Sequence, residues 1–293
     1  MKIAIYGSRR QHDNLGEVRA FLTAAAERGC GLVFHRKLFR HLAEEMPDVM
    51  SATDYDVVDE LGAHEPDYVV SLGGDGTFLR TAAWTGNREV PVIGVNTGHL
   101  GYLAALGIED LAVLPLALEN ADELFRIEAR SLIEVDCPSL RFHRLWPYAL
   151  NEVALTKEET ASMIVADTWI GDEHLAEYRA DGILVSTPTG STAYNLSVGG
   201  PLVEPEIDVH IIAPIAAHSL SMRPLVVGGN RPLRIIPGGR ASHMRLAVDG
   251  RSLQVENGEE IVLRRAPFRT LVMQVRERTF TDTLRRKLHW GDE

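Results

Sequence analysis

Three glycines surround a single carboxylate in the segment Gly73-Gly74-Asp75-Gly76-Thr77, directly after the apolar run Tyr68–Leu72. Glycine lets a backbone turn tightly and approach a ligand, and the free N–H groups at a helix N-terminus bind phosphate. A carboxylate repels phosphate, so Asp75 suits such a place if it binds a divalent metal or accepts a proton from an attacking hydroxyl. Phosphoryl transfer needs both functions. The structural alternative is an ordinary strand-to-helix turn in which Asp75 caps the helix.

An amide follows the next apolar run of the chain. Asn96 ends the run that begins at Val90, and it opens a loop in which His99 and Tyr102 also lie. Asn96 offers both a donor and an acceptor at the end of a predicted strand. The loop either lines a ligand site or simply joins two domains, and a lone histidine such as His99 is more often structural or solvated than catalytic.

Two polar residues, Asn151 and Glu152, interrupt the apolar run 148–155. A polar pair inside such a strand must be exposed at an edge or satisfied by a partner. A carboxylate accepts hydrogen bonds from two adjacent hydroxyls, as on a sugar ring. A strand's solvent-facing side is the alternative for this pair.

Hydroxyl side chains are concentrated between residues 178 and 201, behind the apolar run Gly182–Ser186. Serine and threonine hydroxyls bind nucleobases and pyrophosphates, and Tyr194 offers a ring that stacks on another aromatic group. Ser/Thr clusters in isolation are usually loops and helix caps, so the surroundings of this segment decide its meaning.

Four of these segments occur together and in order: GGDGT at 73–77, NTGHLGYL at 96–103, NE at 151–152 and DGILVSTPTGSTAYNLSVGGP at 181–201. Their combination resembles the NAD kinase family, and the resemblance covers nearly the whole chain. It implies an ATP-dependent phosphorylation of the 2′-hydroxyl of the adenosine ribose of NAD, which gives NADP. Mg²⁺ or another divalent metal is the implied cofactor.

The resemblance also implies a role for each matching residue. Asp75 is the expected general base, or it orients the hydroxyl and helps to hold Mg²⁺. Asn151 and Glu152 are expected to grip the ribose hydroxyls. The other expected nucleotide contacts are Gly73, Gly74, Gly76, Thr77, Arg80, Asn96, Arg179, Asp181, Ser186, Thr189, Thr192, Ala193 and Tyr194. Asp249-Gly250 has the form of a hairpin turn, and it also matches a DG of the family that approaches the site.

Two other functions compete with this interpretation. A lipid or sphingoid kinase of the same superfamily shares GGDGT but needs an apolar slot for an acyl chain, and the hydroxyl-rich segment 178–201 suits a dinucleotide better. A non-catalytic dinucleotide sensor would keep the fold without the chemistry. The presence of Asp75 and of the Asn151-Glu152 pair argues against a sensor.

Composition narrows the class of protein further. The 293-residue chain carries a formal net charge of -11, which argues against general binding to nucleic acid or to membrane surfaces. No apolar run approaches the length of about 20 residues that a membrane helix needs. Cys30 and Cys137 lack metal-binding spacing, so we expect free thiols in a reducing cytoplasm. The family resemblance implies a homodimer or homotetramer.

The elements that must position these residues fall into two groups. Alternating strands and helices up to about residue 100 predict an α/β domain with a doubly wound, mostly parallel sheet. Short strands punctuated by Gly, Pro and Asp then predict an all-β, sandwich-like domain. An apolar strand from 270 to 275 and an amphipathic end helix are expected to return to the first domain. The predicted domains are therefore 1–100 plus about 268–293, and 101–267.

Overall fold

The computed structural model describes residues 1–7, 14–51, 55–98, 101–158 and 162–291. These residues form two compact units, one of residues 1–129 with 270–293 and one of residues 130–269. No helix in the described ranges is both long and apolar enough to span a membrane.

The first unit is built on a parallel sheet. Its strands are β1 Lys2–Gly7, β2 Gly31–His35, β3 Asp56–Val58, β4 Tyr68–Leu72, β5 Val92–Asn96 and the short β6 Leu106–Gly107. Its helices are α1 Leu15–Glu27, α2 Arg36–Glu45, α3 Pro47–Met50, α4 Asp75–Thr85, α5 Leu114–Glu119 and α6 Ala121–Leu124, with a 3₁₀ segment at Ile108–Val113. The strands lie in the order β3-β2-β1-β4-β5, so the order reverses between β1 and β4. In such sheets, ligands bind at the carboxyl ends of the strands at this reversal point.

Side chains alternate between the two faces of this sheet, and both faces are covered by helices. Ile3 and Ile5 of β1 pack in one buried cluster with Phe21 and Leu22 of α1. On the other face, Thr81 of α4 donates a 2.8 Å hydrogen bond to Ser71 of β4. Because helices cover both faces of the sheet, its strands appear in the sequence as continuous apolar runs.

The second unit consists of antiparallel strands with short helices. It contains most of β7 Phe125–Asp136 and β18 Ile261–Val275, together with α7 Pro138–His143, β8 Tyr148–Ala149, β9 Glu152–Lys157, β10 Ile164–Ile170, β11 Glu173–Ala180, β12 Gly182–Ser186, α8 Tyr194–Ser197, β13 Val209–Ile215, β14 Leu225–Gly228, β15 Leu233–Gly239, β16 His243–Val248 and β17 Arg251–Glu256. A 3₁₀ segment, Thr189–Thr192, precedes α8. One sheet has the order β14-β13-β12-β9-β16-β17, and β11-β10-β15-β18 pair side by side in another. Strands of both sheets contribute to one buried apolar cluster, as in the predicted sandwich.

The last helix, α9 Phe280–Leu288, belongs to the first unit together with the end of β18, as the sequence predicts. Val272 of β18 pairs in parallel with Val92 of β5. Thr279 and Asp282 form a capping box at the start of the helix.

The domain boundary lies later than the sequence pattern suggests. The change of rhythm near residue 100 predicts a boundary there, but the structure keeps residues up to 129 in the first unit. The reason is that Leu111, Leu114 and Leu118 pack in the same buried cluster as α1. The return of the chain begins at Thr270, close to the predicted 268.

Some strands also differ from the sequence pattern. The strands β11 and β17 were not predicted, because their exposed, charged side chains hide the apolar alternation. The run 148–155 is divided into β8 and β9 at Leu150 and Asn151. Asn14 precedes α1 but makes no side-chain cap; its amide donates to the Thr97 carbonyl oxygen at 3.4 Å.

Candidate active site

The GGDGT turn connects β4 to α4 at the carboxyl edge of the parallel sheet. Gly73 has a φ of +148°, and a Cβ there would lie 2.5 Å from Thr77 Oγ1, so only glycine fits. Two of the four predicted phosphate donors are occupied: Gly73 N–H donates to Val95 at 3.0 Å and Thr77 N–H to Gly74 at 2.8 Å. Within the described residues, the N–H groups of Gly74 and Gly76 remain without an acceptor.

The carboxylate of Asp75 is held by the loop that follows β5. Its Oδ2 accepts the Tyr102 N–H at 2.7 Å, and its Oδ1 accepts the Leu103 N–H at 3.0 Å. A Cβ on Gly101 would lie 2.0 Å from Asp75 Oδ1, so the loop approaches the carboxylate only because residue 101 is glycine. These bonds lie outside α4, so the helix-cap alternative does not describe Asp75.

A lysine from the end of the chain lies in the same region. The ammonium of Lys287 is 4.9 Å from the centroid of the Tyr102 ring. Burial lowers the pKa of Lys287 to about 8, and the charge of Asp75 acts in the opposite direction. Burial and the charge of Asp75 raise the pKa of the Tyr102 hydroxyl. Sequence reasoning missed Lys287, and the only available signal was the basic run Arg285-Arg286-Lys287 on a helix predicted to return to this unit.

Two other predicted residues of this unit have local contacts. The buried Asn96 donates to the Gly98 carbonyl oxygen at 2.9 Å and accepts the Gly98 N–H at 3.4 Å, so its amide shapes the loop. Arg80 Nη2 donates to Thr77 Oγ1 at 3.2 Å. His99 lies outside the described residues.

In the second unit, Asp249 holds the backbone of the Asn151-Glu152 pair. Its carboxylate accepts three N–H bonds, from Leu150 at 2.7 Å, Asn151 at 2.9 Å and Glu152 at 3.1 Å. Asp249 has a φ of +46° in the predicted turn between β16 and β17. Its side chain, which the sequence placed in a hairpin turn and the family resemblance placed near the site, therefore fixes the backbone of the predicted ribose-binding pair.

Side-chain atoms of this pair are buried without partners. Within the described residues, neither Asn151 Oδ1 nor Glu152 Oε2 has a hydrogen-bond partner. Burial and then the charge of Asp249 raise the pKa of Glu152 to about 7, while the Tyr194 N–H opposes this. Burial also raises the pKa of Asp249, but its three N–H donors favour the ionised form, so we assign the proton to Glu152.

The hydroxyl-rich segment supports this pair from behind. Ser186 Oγ donates to the Asn151 carbonyl oxygen at 3.2 Å, and Thr187 Oγ1 donates to the Leu150 carbonyl oxygen at 2.5 Å. A Cβ on Gly190 would lie 2.2 Å from the Asn151 carbonyl oxygen. The structure thus gives these residues a positioning role, and a direct contact of Ser186 with a ligand stays a prediction.

The remainder of the segment turns away from β12 through the 3₁₀ turn. Thr189 Oγ1 accepts from Arg130 at 3.2 Å, and Thr192 Oγ1 donates to the Thr189 carbonyl oxygen at 3.4 Å. Ala193 closes the turn by donating its N–H to Gly190 at 2.9 Å. Tyr194 is 40% exposed, which leaves its side chain accessible for stacking.

Two predicted residues lie at the opposite end of β12. Ser186 pairs with Glu152 in the sheet, whereas Gly182 pairs with Thr156. Asp181 therefore lies about 15 Å along the strand from the Asn151-Glu152 pair. It forms a 2.7 Å ion pair with Lys157, and the exposed Arg179 forms one at 2.8 Å with Glu177. Within this unit, the structure does not bring Arg179 and Asp181 to the pair.

Comparison with protein families gives two matches that together span most of the chain. The ATP-NAD kinase N-terminal domain matches residues 14–121, and the ATP-NAD kinase C-terminal domain matches residues 150–275. The NAD kinase of Porphyromonas gingivalis is 41% identical, with 99% of this chain and 98% of the relative covered. The NAD kinase of Bacteroides fragilis is 35% identical with the same coverage of both chains.

Two solved structures share the fold. Yeast NADH kinase complexed with NADH has a TM-score of 0.86 at 23% identity, with 100% of this chain and 89% of that chain covered. An NAD kinase from Archaeoglobus fulgidus in complex with ATP has a TM-score of 0.72 at 24% identity, with 99% and 98% covered. At such identities the likeness concerns the fold alone.

Proposed function

Because the chain belongs to the ATP-NAD kinase family and phosphorylates NAD with ATP to give NADP, we propose that Asp75 and the Asn151-Glu152 pair carry this reaction. The role of each residue follows from its contacts within its own unit. The family membership also removes the support for a lipid or sphingoid kinase, since the full-length relatives are NAD kinases.

The observation that carries the proposal is the pair of unpartnered buried oxygens, Asn151 Oδ1 and Glu152 Oε2. A buried acceptor without a donor costs about 1–3 kcal/mol, so a fold that keeps two of them on consecutive residues is arranged for a ligand with donors. The hydroxyls of a ribose are such donors. Asn151 and Glu152 would therefore bind the adenosine ribose of NAD, with Asp249 and Ser186 fixing their backbone.

Asp75 would take the proton from the 2′-hydroxyl. A ribose hydroxyl has a high pKa, so the proton leaves late, as the bond from oxygen to the transferring phosphorus forms. The N–H groups of Tyr102 and Leu103 hold the carboxylate in one orientation while each oxygen keeps a free lone pair. The free N–H groups of Gly74 and Gly76 would bind phosphate oxygens at the start of α4.

A divalent metal would arrive with the phosphates of ATP. No group of three or more His, Cys, Asp or Glu side chains in the described ranges is arranged to hold a metal ion. Mg²⁺ commonly takes only one or two protein carboxylates and completes its shell with water and substrate phosphates, and Asp75 suits this mode. Bound Mg²⁺ would neutralise charge on the transferring phosphoryl group.

We place the protein in the cytoplasm as a homodimer or homotetramer, without nucleic acid or membrane partners. The free thiols of Cys30 and Cys137 support a reducing compartment. Exposed apolar residues in the edge strand β14 and in the turn before it support self-association: Val226 of β14 is 44% exposed and Leu220 of the turn is 90% exposed. Light scattering on the wild type and on Val226→Asp tests this, with a smaller particle expected for the variant.

Kinetics of two variants test the ribose-binding role. Asn151→Ala and Glu152→Gln are expected to raise the KM for NAD by about 10- to 100-fold with little change in the KM for ATP, since each loses about 1.5–3 kcal/mol of hydrogen bonding. Glu173→Gln is the matched control, because its exposed carboxylate pairs with Arg231. An unchanged KM for NAD in both variants would refute the role. Product analysis with NAD, ATP and Mg²⁺ separates a kinase from a sensor, which would form no NADP.

A further inference from the structure

Three cations lie close to one another in the first unit, and one of them, Lys287, contacts the loop that holds Asp75 of the GGDGT turn. Lys287 of α9 lies over the Tyr102 ring, and Tyr102 N–H is bonded to Asp75. The charges of Arg278 and Arg286 are close enough to Lys287 to act on it. Two carboxylates face this group, Asp75 beside Lys287 and Asp110, whose charge acts on Arg278, so three positive charges meet two negative ones.

The positive charge of Lys287 is only partly compensated by its surroundings. Its side chain is half-buried, and within the described residues its ammonium makes no hydrogen bond and no ion pair within 4 Å. Arg285, two residues earlier on the same helix, is paired with Asp282, and Arg278 donates to the Ala105 carbonyl oxygen at 2.7 Å. Removing an ammonium from water without a counter-ion is unfavourable, and the contact with an aromatic ring recovers only part of this loss.

From this excess of positive charge we propose that Lys287 binds the outer phosphates of the phosphoryl donor and holds them beside Asp75. The inference rests on the proposed position of the donor phosphates at the GGDGT turn. The ammonium is a compact charge on a flexible stem, which suits a phosphate that changes its geometry during transfer. Arg286 adds to the local positive field, and the N–H groups of Gly74 and Gly76 provide uncharged donors nearby.

The location of Lys287 also indicates which part of the phosphoryl donor it binds. Asp75 is the group that takes the proton of the acceptor hydroxyl, so the phosphorus under attack lies next to it. A cation in the neighbourhood of Asp75 therefore meets the terminal end of the triphosphate, and not its nucleoside end. Lys287 thus discriminates ATP from AMP, which lacks the outer phosphates.

Binding of ATP and of AMP to the full-length protein, measured by calorimetry with Mg²⁺ and without NAD, tests this. Lys287→Met is expected to weaken ATP binding by about 10- to 100-fold, as for loss of a charge-assisted hydrogen bond, and to leave AMP binding unchanged. Lys287→Arg is expected to recover most of the ATP affinity. Arg285→Met is the matched control and should stay within twofold of the wild type, because its charge is already paired.

Steady-state kinetics provide the second readout. Lys287→Met should raise the KM for ATP by the same factor, with the KM for NAD within twofold. Unchanged ATP binding, or equal losses for ATP and AMP, would overturn the proposal. A Lys287→Arg variant as impaired as Lys287→Met, with a lowered melting temperature in both, would show a purely structural lysine. Lys287→Gln replaces Lys287→Met if the latter does not fold.

Because the binding experiment omits NAD, its result does not depend on the ribose-binding role of Asn151 and Glu152. A wild type that forms NADP while Lys287→Met binds ATP normally would refute only the lysine. Normal KM values for NAD in the Asn151 and Glu152 variants would refute only the ribose site.

Discussion

The two carboxylates that we place in the reaction have opposite surroundings. Asp75 accepts two backbone N–H bonds and lies near the ammonium of Lys287. Glu152 is half-buried near a second carboxylate, Asp249, and one of its oxygens is buried without a partner in the described part of the chain. Burial and a like charge raise the pKa of Glu152, whereas Asp75 is surrounded by hydrogen-bond donors and a cation.

This difference corresponds to the ligands each site is suited to receive. The surroundings of Asp75 are suited to phosphate and metal charge, and the carboxylate is fixed before they arrive. The surroundings of Glu152 are suited to neutral hydroxyl donors, which would supply the hydrogen bonds that its unpartnered oxygen lacks. The comparison predicts that changes near Asp75 act on turnover and changes near Glu152 act on the affinity for NAD.

The largest effect is expected from Asp75→Asn. Turnover should fall by about 10²- to 10⁴-fold, as on loss of a general base. NAD affinity, measured by calorimetry, should change by less than threefold. The amide can accept only one of the two N–H bonds, so we also expect the free energy of unfolding to fall by about 1–3 kcal/mol. Turnover near that of the wild type would remove Asp75 from the chemistry.

Gly101→Ala should reduce turnover next most strongly. Its Cβ would lie 2.0 Å from Asp75 Oδ1, so the loop or the carboxylate must move. A displacement of about 1 Å costs on the order of 10²-fold in rate. Gly98→Ala in the same loop is the matched control, because no described atom beyond its chain neighbours lies within 4 Å of its added Cβ. Equal turnover of the two variants would contradict a fixed Asp75.

Asp249→Asn tests the contacts that hold the Asn151-Glu152 pair. The change weakens three N–H bonds that hold residues 150–152, so the KM for NAD should rise by about tenfold and the free energy of unfolding should fall by about 1–3 kcal/mol. Asparagine tolerates the positive φ of residue 249, so backbone strain does not contribute. Urea unfolding and NAD kinetics measure the two effects. An increase in the KM for ATP alone would contradict this assignment.

Glu152 should make the affinity for NAD depend on pH. Its pKa of about 7 means that it is protonated below neutrality and loses acceptor capacity, so the KM for NAD should rise up to tenfold between pH 8 and pH 6. The profile of Glu152→Gln should be flat. Asp249→Asn should move the midpoint to lower pH, since it removes a like charge.

The same group has a smaller effect on stability. The folded pKa of Glu152 is raised from 4.5, so its carboxyl binds a proton more tightly in the folded than in the unfolded chain. Its stabilising contribution is therefore complete below pH 4.5 and is lost as the pH rises to about 7. The total is ~3 kcal/mol. Chemical unfolding of the wild type and Glu152→Gln across this range measures the difference, and parallel curves would contradict the raised pKa.

The contrast between the two sites also explains what the sequence predicts and what it does not. GGDGT could be placed after a buried strand because an apolar run and three glycines are local signals. The link from Asp249 to residues 150–152 could not be predicted, since it spans 97 to 99 positions of the chain and Asp249-Gly250 has the ordinary composition of a turn. Lys287 was missed for the same reason, because its contact with Tyr102 joins residues that are far apart in the sequence.

The sequence also indicates where hydroxyl and amide side chains lie in the fold better than it indicates what they bind. Ser186 and Asn96 were expected to contact nucleotides, and the structure gives both of them internal hydrogen bonds. A side chain that binds a ligand and one that shapes the loop next to it have the same residue type. Geometry separates the two, because a loop-shaping group has its partners within the protein.

The return of residues 270–287 to the first unit has a consequence for synthesis of the chain. The first unit cannot be completed until the second has been made, because the strand partner of β5 and the helix carrying Lys287 follow residues 130–269 in the sequence. A chain that has been synthesised only through the second unit therefore lacks the Lys287 ammonium near Asp75.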